Sequence, residues 1–266
     1  MTASLHIRRF GSGPRPVLAL HCALGNGAGW RAMAAHLPAD RHLLAPDLPG
    51  HGRSPDLPAD VDLHAAMTDL VRDVAQDAGA GQPIDVIGHS LGGTLALRLA
   101  LEAPELVRSL TLFEPVLFSL ARQADITEVG PWLAGYRHFE TTLAAGDRMG
   151  AAAIFLGEWG GAQPFEAMPP DQQAYVTARL DMLPRTNASL YDDHPGLTAP
   201  GRIEALAMPV MLVRGERSPP VIGAIHRALR QRLADAHEHV EPGAGHMLPI
   251  SHAPTLGPLI AAHLAR

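Results

Sequence analysis

A glycine-rich turn between two contrasting segments strongly constrains the fold of this chain. Residues 84–88 form an apolar run of strand length, and residues 91–102 are predicted as a helix. The sequence Gly-His-Ser-Leu-Gly, residues 88–92, connects them directly. A side chain at Gly88 or Gly92 would collide where the strand and the helix cross closely. The pattern therefore predicts a buried strand that turns sharply into a helix.

Short apolar runs alternate with amphipathic segments along most of the chain, which is typical of an α/β fold with a mostly parallel sheet. Asp62 suits the N-cap of a helix predicted over residues 62–78. We expect a mostly parallel central sheet flanked by helices. The other predicted strands are residues 4–10, 16–21, 42–46, 107–113, 208–214 and 237–241, and the other predicted helices are residues 29–37, 220–233 and 253–265.

The alternation stops between about residues 116 and 205, where the pattern indicates helices broken by glycine and proline. We expect residues 116–205 to form a helical cap inserted into an α/β core. That core comprises residues 1–115 and 206–266. A length of 266 residues with 47% hydrophobic residues is sufficient for such a core.

Composition and charge disfavour several classes of protein. The net charge of -6 makes nucleic acid an unexpected partner, and the single cysteine, Cys22, excludes an intramolecular disulfide. Residues 1–13 lack the apolar segment of a secretory signal, and the apolar run at residues 95–101 is interrupted by Arg98. We expect a cytoplasmic monomer or homodimer that uses no cofactor and does not bind membranes.

Ser90 lies at the centre of the turn, where its hydroxyl is lifted above the edge of the sheet. Amides at the start of the following helix favour negative charge that develops there. A serine hydroxyl needs a base, and for a serine on such a turn the base is a histidine after the last strand. His246 lies in that place, in a tight glycine-containing loop. We predict Ser90 as the nucleophile and His246 as its base.

Other histidines fit the role of base less well. His252 begins the last predicted helix and is interpreted as a surface or capping residue. His237 and His239 alternate on one face of a strand, but no third ligand is clustered with them in the sequence. We therefore predict no metal site.

The loop after the second predicted strand, residues 21–27, is the candidate oxyanion loop. The amide just past such a strand supplies half of the oxyanion hole, and the amide of the residue after the nucleophile supplies the other half. These residues are Ala23 and Leu91. Loss of one such donor typically lowers the rate by about 10²–10³.

With these motifs, the chain resembles the α/β-hydrolase fold superfamily, in the branch with a helical cap. The resemblance covers essentially the whole chain outside the cap and implies an active site beneath that cap. DLPGHGRS is interpreted as a structural turn rather than a catalytic element. The matching strings are HCALG at residues 21–25, DLPGHGRS at 47–54, GHSLGG at 88–93 and GH at 245–246.

Two positions depart from the pattern of this superfamily. Cys22 replaces the glycine that commonly follows the histidine of the oxyanion loop, and its Cβ restricts the loop. Cys22 lacks the sharp turn, so it is not predicted as a nucleophile. Ser218 occupies the usual position of the acid in the string Gly-Glu-Arg-Ser, and a serine cannot stabilise an imidazolium by charge.

Some members of the superfamily carry the acid one strand earlier, and Glu114 occupies that position directly after residues 107–113. A carboxylate would be costly to bury there unpaired. The chain order Ser90, Glu114, His246 also places the acid between the serine and the histidine. We predict Glu114 as the acid of the triad.

Alternatives to this acid remain open. Glu216 lies on the usual loop and is the second candidate, and Asp192 and Asp193 in the cap are remote candidates. Glu114 would have no such role if it bound only local backbone or Arg214.

Nine of the twelve aromatic residues lie in the predicted cap, so we expect the cap to line an apolar pocket. Most of them should pack cap helices together, and only a few should contact substrate. Without a basic cluster for phosphate, the expected partner is a small apolar molecule. The predicted substrate-binding residues are Trp30, Trp132, Tyr136, Phe139 and Trp159.

Together these residues predict a carboxylesterase-like serine hydrolase that cleaves small or medium apolar esters or lactones through an acyl-enzyme. Serine-type carbon–carbon bond hydrolases and perhydrolases of the same superfamily share the motifs. Ser90 disfavours dehalogenase and epoxide hydrolase chemistry, which uses an aspartate nucleophile in this superfamily. A non-catalytic receptor for small ligands is the alternative from another class, supported by Ser218 and opposed by Ser90 and His246.

Overall fold

The computed structural model describes residues 4–124, 126–160 and 163–266. The strands of its sheet are β1 (Ile7–Phe10), β2 (Arg15–Leu20), β3 (Arg41–Pro46), β4 (Ile84–His89), β5 (Val107–Phe113), β6 (Val210–Gly215) and β7 (Ala236–Glu241). They lie in the order β1-β3-β2-β4-β5-β6-β7. Only the β1–β3 pair is antiparallel among these strands. The predicted mostly parallel sheet is confirmed.

Helices follow the strands as the alternating pattern predicts. Asp62 caps the second helix, because its side chain accepts a hydrogen bond from the Ala65 amide at 3.0 Å. The helices are α1 (Arg31–Ala34), α2 (Leu63–Gly79), α3 (Leu91–Glu102), α4 (Phe118–Ala124), α5 (Ile126–Ala144), α6 (Arg148–Trp159), α7 (Pro170–Thr177), α8 (Asn187–Leu190), α9 (Pro220–Arg232), α10 (Leu248–Ser251) and α11 (Ala253–Leu264).

The helix predicted over residues 29–37 is shorter than expected. The Asn26 side chain accepts a hydrogen bond from the Ala28 amide at 2.9 Å and starts a 3₁₀ turn at Gly27–Trp30. Only α1 continues as α-helix beyond that turn. The local cap, which the apolar spacing does not reveal, therefore shifts the element towards the N-terminus.

The sheet separates two apolar layers, because successive strand side chains point to opposite faces. Along β2, Leu18 and Leu20 belong to the apolar layer that also contains side chains of α2, α3 and α9. Val17 and Ala19 belong to the layer on the other face, which also contains side chains of α1, α10 and α11. All four side chains are fully buried, so both faces of the central strands are covered.

Helices α4 to α8 lie between β5 and β6, in the segment predicted as a cap. Aromatic rings pack within this segment, with Phe118 stacked on Trp132 at 4.1 Å between ring centroids. The division into a core at 1–115 and 206–266 and a cap at 116–205 stays a prediction. Within the described ranges, no helix has the combination of length and apolar character needed to cross a membrane.

Candidate active site

Ser90 sits between β4 and α3 with a backbone φ of +56°, in the left-handed region that is strained for a non-glycine residue. Its amide donates to the carbonyl of Phe113 at 2.9 Å, which fixes the turn against β5. A Cβ at Gly88 would lie 2.3 Å from the Gly92 oxygen, and a Cβ at Gly92 would lie 2.3 Å from the Leu20 oxygen. The two glycines therefore permit the close crossing that places Ser90 above the sheet.

Glu114 and His246 meet although they lie 132 positions apart in the sequence. His246 Nδ1 and Glu114 Oε2 are 2.6 Å apart, the distance of a charge-assisted hydrogen bond. Glu114 is fully buried and directly follows β5, with φ +47°. Its amide donates to the Val213 carbonyl at 3.1 Å, so β6 holds this strained residue in place.

The second oxygen of Glu114 is also occupied. Glu114 Oε1 accepts a hydrogen bond from the Gly215 amide at 2.7 Å and another from the Ser218 hydroxyl. Burial by itself raises the pKa of Glu114, but His246, the Gly215 amide and the Ser218 hydroxyl outweigh that effect and lower the pKa below its ordinary value. Ser218, at the position where the superfamily usually carries the acid, thus donates to the carboxylate that follows the neighbouring strand, β5.

The alternative acids have other partners. Glu216 is exposed, and its Oε2 accepts a hydrogen bond from the Gly243 amide at 2.8 Å. Asp192 lies 3.8 Å from Arg122, and Asp193 accepts from backbone amides of its own loop. The Arg214 guanidinium lies 3.3 Å from Glu238 rather than beside Glu114.

His246 is enclosed by two further rings. The Trp159 ring contacts it edge-on, with 4.7 Å between ring centroids. His89 Nε2 lies 2.8 Å from the His246 carbonyl. Because burial lowers the pKa of His89 to about 3, that ring is neutral and donates the proton on Nε2 to the carbonyl. These contacts hold the backbone and the ring of His246 in one orientation.

Ser90 and His246 line one cavity of about 420 Å³, and the two predicted oxyanion residues, Ala23 and Leu91, line it as well. Leu91 is the first residue of α3, so its amide has no carbonyl partner within that helix, and among the described residues the Ala23 amide makes no loop or turn hydrogen bond to backbone. Both are therefore available to a ligand oxygen. The other lining side chains are mainly apolar, and most come from α2 and from the segment between β5 and β6.

The five predicted substrate-binding aromatics divide into two groups. Tyr136 and Trp159 line the cavity. Trp30 does not, which corrects the prediction: it is buried beneath the other face of the sheet and packs on Phe113 at 5.9 Å. Trp132 and Phe139 also lie outside the lining, because Trp132 stacks behind Phe118 and Phe139 packs behind Tyr136.

Several lining residues were not predicted. Phe118 and Tyr191 stood among the cap aromatics without being distinguished from those that only pack helices. Leu63 and Met67 lie one turn apart on α2, a spacing that predicts burial but not a cavity wall. Asn187 follows a 3₁₀ turn and carries no sequence signal for its position in the cavity.

Neither histidine of β7 lines this cavity. His239 Nε2 lies 2.7 Å from Glu241, and His237 Nε2 lies 3.6 Å from Asp235. Nowhere in the described part of the chain do three side chains suited to a metal ion come together.

Comparison with known proteins gives a family that agrees with the observed fold. A family model described as alpha/beta hydrolase fold matches residues 15–253. The chain belongs to this family. The resemblance expected from the sequence motifs is therefore confirmed, and the chain is a hydrolase of the alpha/beta fold.

The similarity to individual relatives covers nearly all of this hydrolase. Lipase LipV of Mycobacterium tuberculosis is 29% identical, with 99% of each chain covered. RutD of Klebsiella pneumoniae, assigned as a carbamate hydrolase, is 27% identical over 94% of this chain and 91% of its own length. The solved structure of the esterase EaEST from Exiguobacterium antarcticum superposes with a TM-score of 0.74 at 16% identity, covering 100% of this chain and 98% of that chain. That last likeness concerns the fold alone.

The buried histidines predict that this hydrolase loses stability in acid. Burial lowers the pKa of His21 to about 4 and that of His64 and His89 to about 3, and it lowers the pKa of His51 well below its ordinary value. In the unfolded chain these groups titrate near pH 6.5, so below that pH the unfolded state binds more protons than the folded state. Stability present above pH 6.5 is therefore lost as the pH falls towards 4.

Each such histidine contributes a slope of up to about 1.4 kcal/mol per pH unit in that window. Thermal unfolding followed by circular dichroism between pH 8 and pH 4.5 measures the effect. We expect a Tm that is nearly constant above pH 7 and falls steeply below pH 6.5. A Tm that stays constant down to pH 5 would contradict the assignment of these four rings as neutral.

Proposed function

We propose that this hydrolase is a serine carboxylesterase that cleaves small or medium apolar esters, or lactones, through an acyl-enzyme. The observation that carries the proposal is the 2.6 Å contact between Glu114 and His246, together with the largely apolar cavity that both His246 and Ser90 line. A histidine with its Nδ1 bound to a buried carboxylate is suited to accept a proton on Nε2. An apolar wall with few polar groups suits an ester rather than a charged substrate.

The relatives support the same class of reaction. LipV is named a lipase and RutD is assigned as a carbamate hydrolase, and the LipV and RutD similarity extends over 99% and 94% of this chain. Both activities begin with attack on a carbonyl carbon that carries a leaving group. These relatives therefore support acyl transfer as the class of reaction. The size and apolar lining of the cavity determine which acyl and alcohol groups the substrate can carry.

In the proposed reaction, Ser90 Oγ attacks the ester carbonyl while His246 Nε2 takes the hydroxyl proton. The oxygen of the tetrahedral intermediate accepts hydrogen bonds from the Ala23 and Leu91 amides, and Glu114 stabilises the imidazolium. Collapse expels the alcohol with the proton from His246 and leaves the acyl group on Ser90. A water molecule then gives a proton to His246 and attacks the acyl carbon. Collapse of this second intermediate breaks the bond to Ser90 Oγ, which takes the proton back from His246, and releases the acid.

A panel of p-nitrophenyl esters with acyl chains of two to twelve carbons, assayed beside lactones and a carbamate of matched size, tests the proposal. We expect kcat/KM to rise about fourfold for each methylene that the cavity buries, since burying one contributes about 0.8 kcal/mol. The rise should stop when the chain exceeds the cavity of about 420 Å³. Folded protein that binds apolar esters without hydrolysing any of them would instead indicate a ligand receptor.

A further inference from the structure

The loop that carries the Ala23 amide is fixed by two buried histidines that lie outside the catalytic triad. His21 is the first residue of this loop, and His51 lies in the turn formed by residues 47–54. Their rings meet edge-on, with 4.9 Å between centroids, and both are almost inaccessible to solvent. The proposed reaction assigns neither ring a proton transfer.

The peptide plane that contains the Ala23 amide is held from its carbonyl side. His21 Nδ1 donates to the Cys22 carbonyl at 2.7 Å, and the Gly25 amide donates to the same oxygen at 3.1 Å. Because the peptide between Cys22 and Ala23 is planar and trans, its N–H points away from that carbonyl. Holding the Cys22 oxygen in place therefore aims the Ala23 N–H at the opposite side.

The next peptide plane is held by His51. The Leu24 amide donates to His51 Nε2 at 3.0 Å, while His51 Nδ1 donates to the Pro49 carbonyl at 3.0 Å. Leu24 has a φ of +59°, a strained value for a leucine, so this plane needs an outside partner to stay in place. The amide of Leu48 in turn donates to His21 Nε2 at 2.9 Å, which closes a reciprocal brace between loop and turn.

We propose that His51 is a positioning residue for the oxyanion hole. Through its bond to the Leu24 amide, it fixes the peptide plane that follows Ala23 and so keeps the Ala23 N–H aimed at the developing oxyanion. The turn formed by residues 47–54 thereby contributes to stabilising the transition state as well as to folding. The inference rests on the proposed esterase function, because only an enzyme that forms a tetrahedral oxyanion would use the brace.

Two variants of equal side-chain length separate positioning from packing. His51→Met fills the space but offers only a weak acceptor, whereas the amide oxygen of His51→Gln can accept from Leu24. We expect His51→Met to lower kcat about 100-fold with KM nearly unchanged, since the lost interaction belongs to the transition state. His51→Gln should recover most of that loss. His64→Gln is the matched control, because it alters another fully buried histidine on α2 that makes none of these loop contacts.

Inhibitor binding distinguishes positioning from a general loss of structure. The Ser90 hydroxyl adds to the carbonyl of a trifluoromethyl ketone and forms a tetrahedral oxyanion. The methyl ketone with the same alkyl group binds mainly as an analogue of the ground state. For His51→Met we expect the Ki of the trifluoromethyl ketone to rise about 100-fold and that of the methyl ketone to change less than threefold. Equal changes for both inhibitors, or unchanged values for both, would overturn the proposal.

The two proposals can fail separately. If the wild-type protein hydrolyses no ester, the esterase function itself is wrong. If the wild type is active and the Ki of the trifluoromethyl ketone rises about 100-fold in His51→Gln, although its amide oxygen can accept from Leu24, only the role of His51 is wrong. The Gln variant supplies this result even if His51→Met does not fold.

Discussion

Replacing Ser90 with alanine is expected to lower kcat for the best ester of the panel by about 10⁶-fold, close to complete loss of the catalysed reaction. Without the hydroxyl no acyl-enzyme forms, and a water molecule in its place lacks the geometry that the turn gives to Ser90 Oγ. The residual rate would come from the oxyanion hole and from substrate binding. Initial rates with p-nitrophenyl esters, measured at high enzyme concentration, give the ratio.

A matched control removes a different buried hydroxyl. Ser119→Ala alters a serine of α4 that is 4% exposed, belongs to the same segment as the cavity wall and does not line the cavity. We expect it to keep wild-type kcat within about threefold, since it contacts neither the base nor the oxyanion donors.

Cys22 is the competing nucleophile that this experiment also examines. It lines the cavity, but burial raises the pKa of its thiol to about 12, so the thiol stays protonated at neutral pH. If Ser90→Ala retained more than about 1% of wild-type kcat, and a further Cys22→Ala change removed that remainder, the assignment of the nucleophile would be wrong.

Replacing Glu114 with glutamine is expected to lower kcat by about 10⁴-fold while the protein stays folded, the size of effect seen when the acid of a serine triad becomes an amide. The hydrogen bonds at Oε1 determine the outcome. Gly215 and Ser218 both donate to that oxygen, so the glutamine carbonyl will occupy its place. The amide NH₂ then faces His246 Nδ1, which must accept a hydrogen bond and therefore carries its proton on Nε2.

In that tautomer His246 cannot take the proton of Ser90, and the imidazolium has also lost its counter-charge. Glu216→Gln is the matched control, because it makes the same chemical change at an exposed carboxylate of the neighbouring loop, where Oε2 binds only the Gly243 amide among the described contacts. We expect that variant to keep kcat within about threefold. A large loss for Glu216→Gln together with a silent Glu114→Gln would reverse the assignment of the acid.

The position of Glu114 could be predicted because the sheet imposes it. Parallel neighbouring strands end at the same edge, so a carboxylate directly after β5 must lie near the turn after β4. The hydroxyl partner of that carboxylate, in the loop after β6, could not be predicted. Ser218 looks like the loss of an acid in the sequence, and its donation to Glu114 becomes visible only when the ends of β5 and β6 are placed side by side.

The walls of the cavity were harder to predict than the residues at its centre. Trp30 follows the oxyanion loop in the chain, but the 3₁₀ turn that starts at Gly27 directs its ring into the layer beneath the sheet. Tyr136 and Phe139 lie less than one turn apart on α5, yet only Tyr136 lines the cavity. The choice depends on how the helices between β5 and β6 pack on one another, which apolar composition alone does not encode.

Covalent labelling determines whether Ser90 is a nucleophile activated by His246 and Glu114. The folded wild-type protein is treated with a fluorophosphonate, and the modified peptide is identified by mass spectrometry. We predict a single phosphonyl group on Ser90, no labelling of Ser90→Ala, and labelling of Glu114→Gln that is slower by orders of magnitude while Glu216→Gln reacts at the wild-type rate. Folded wild-type protein that is not labelled, or that carries the label on a residue other than Ser90, would show that Ser90 is not the activated nucleophile.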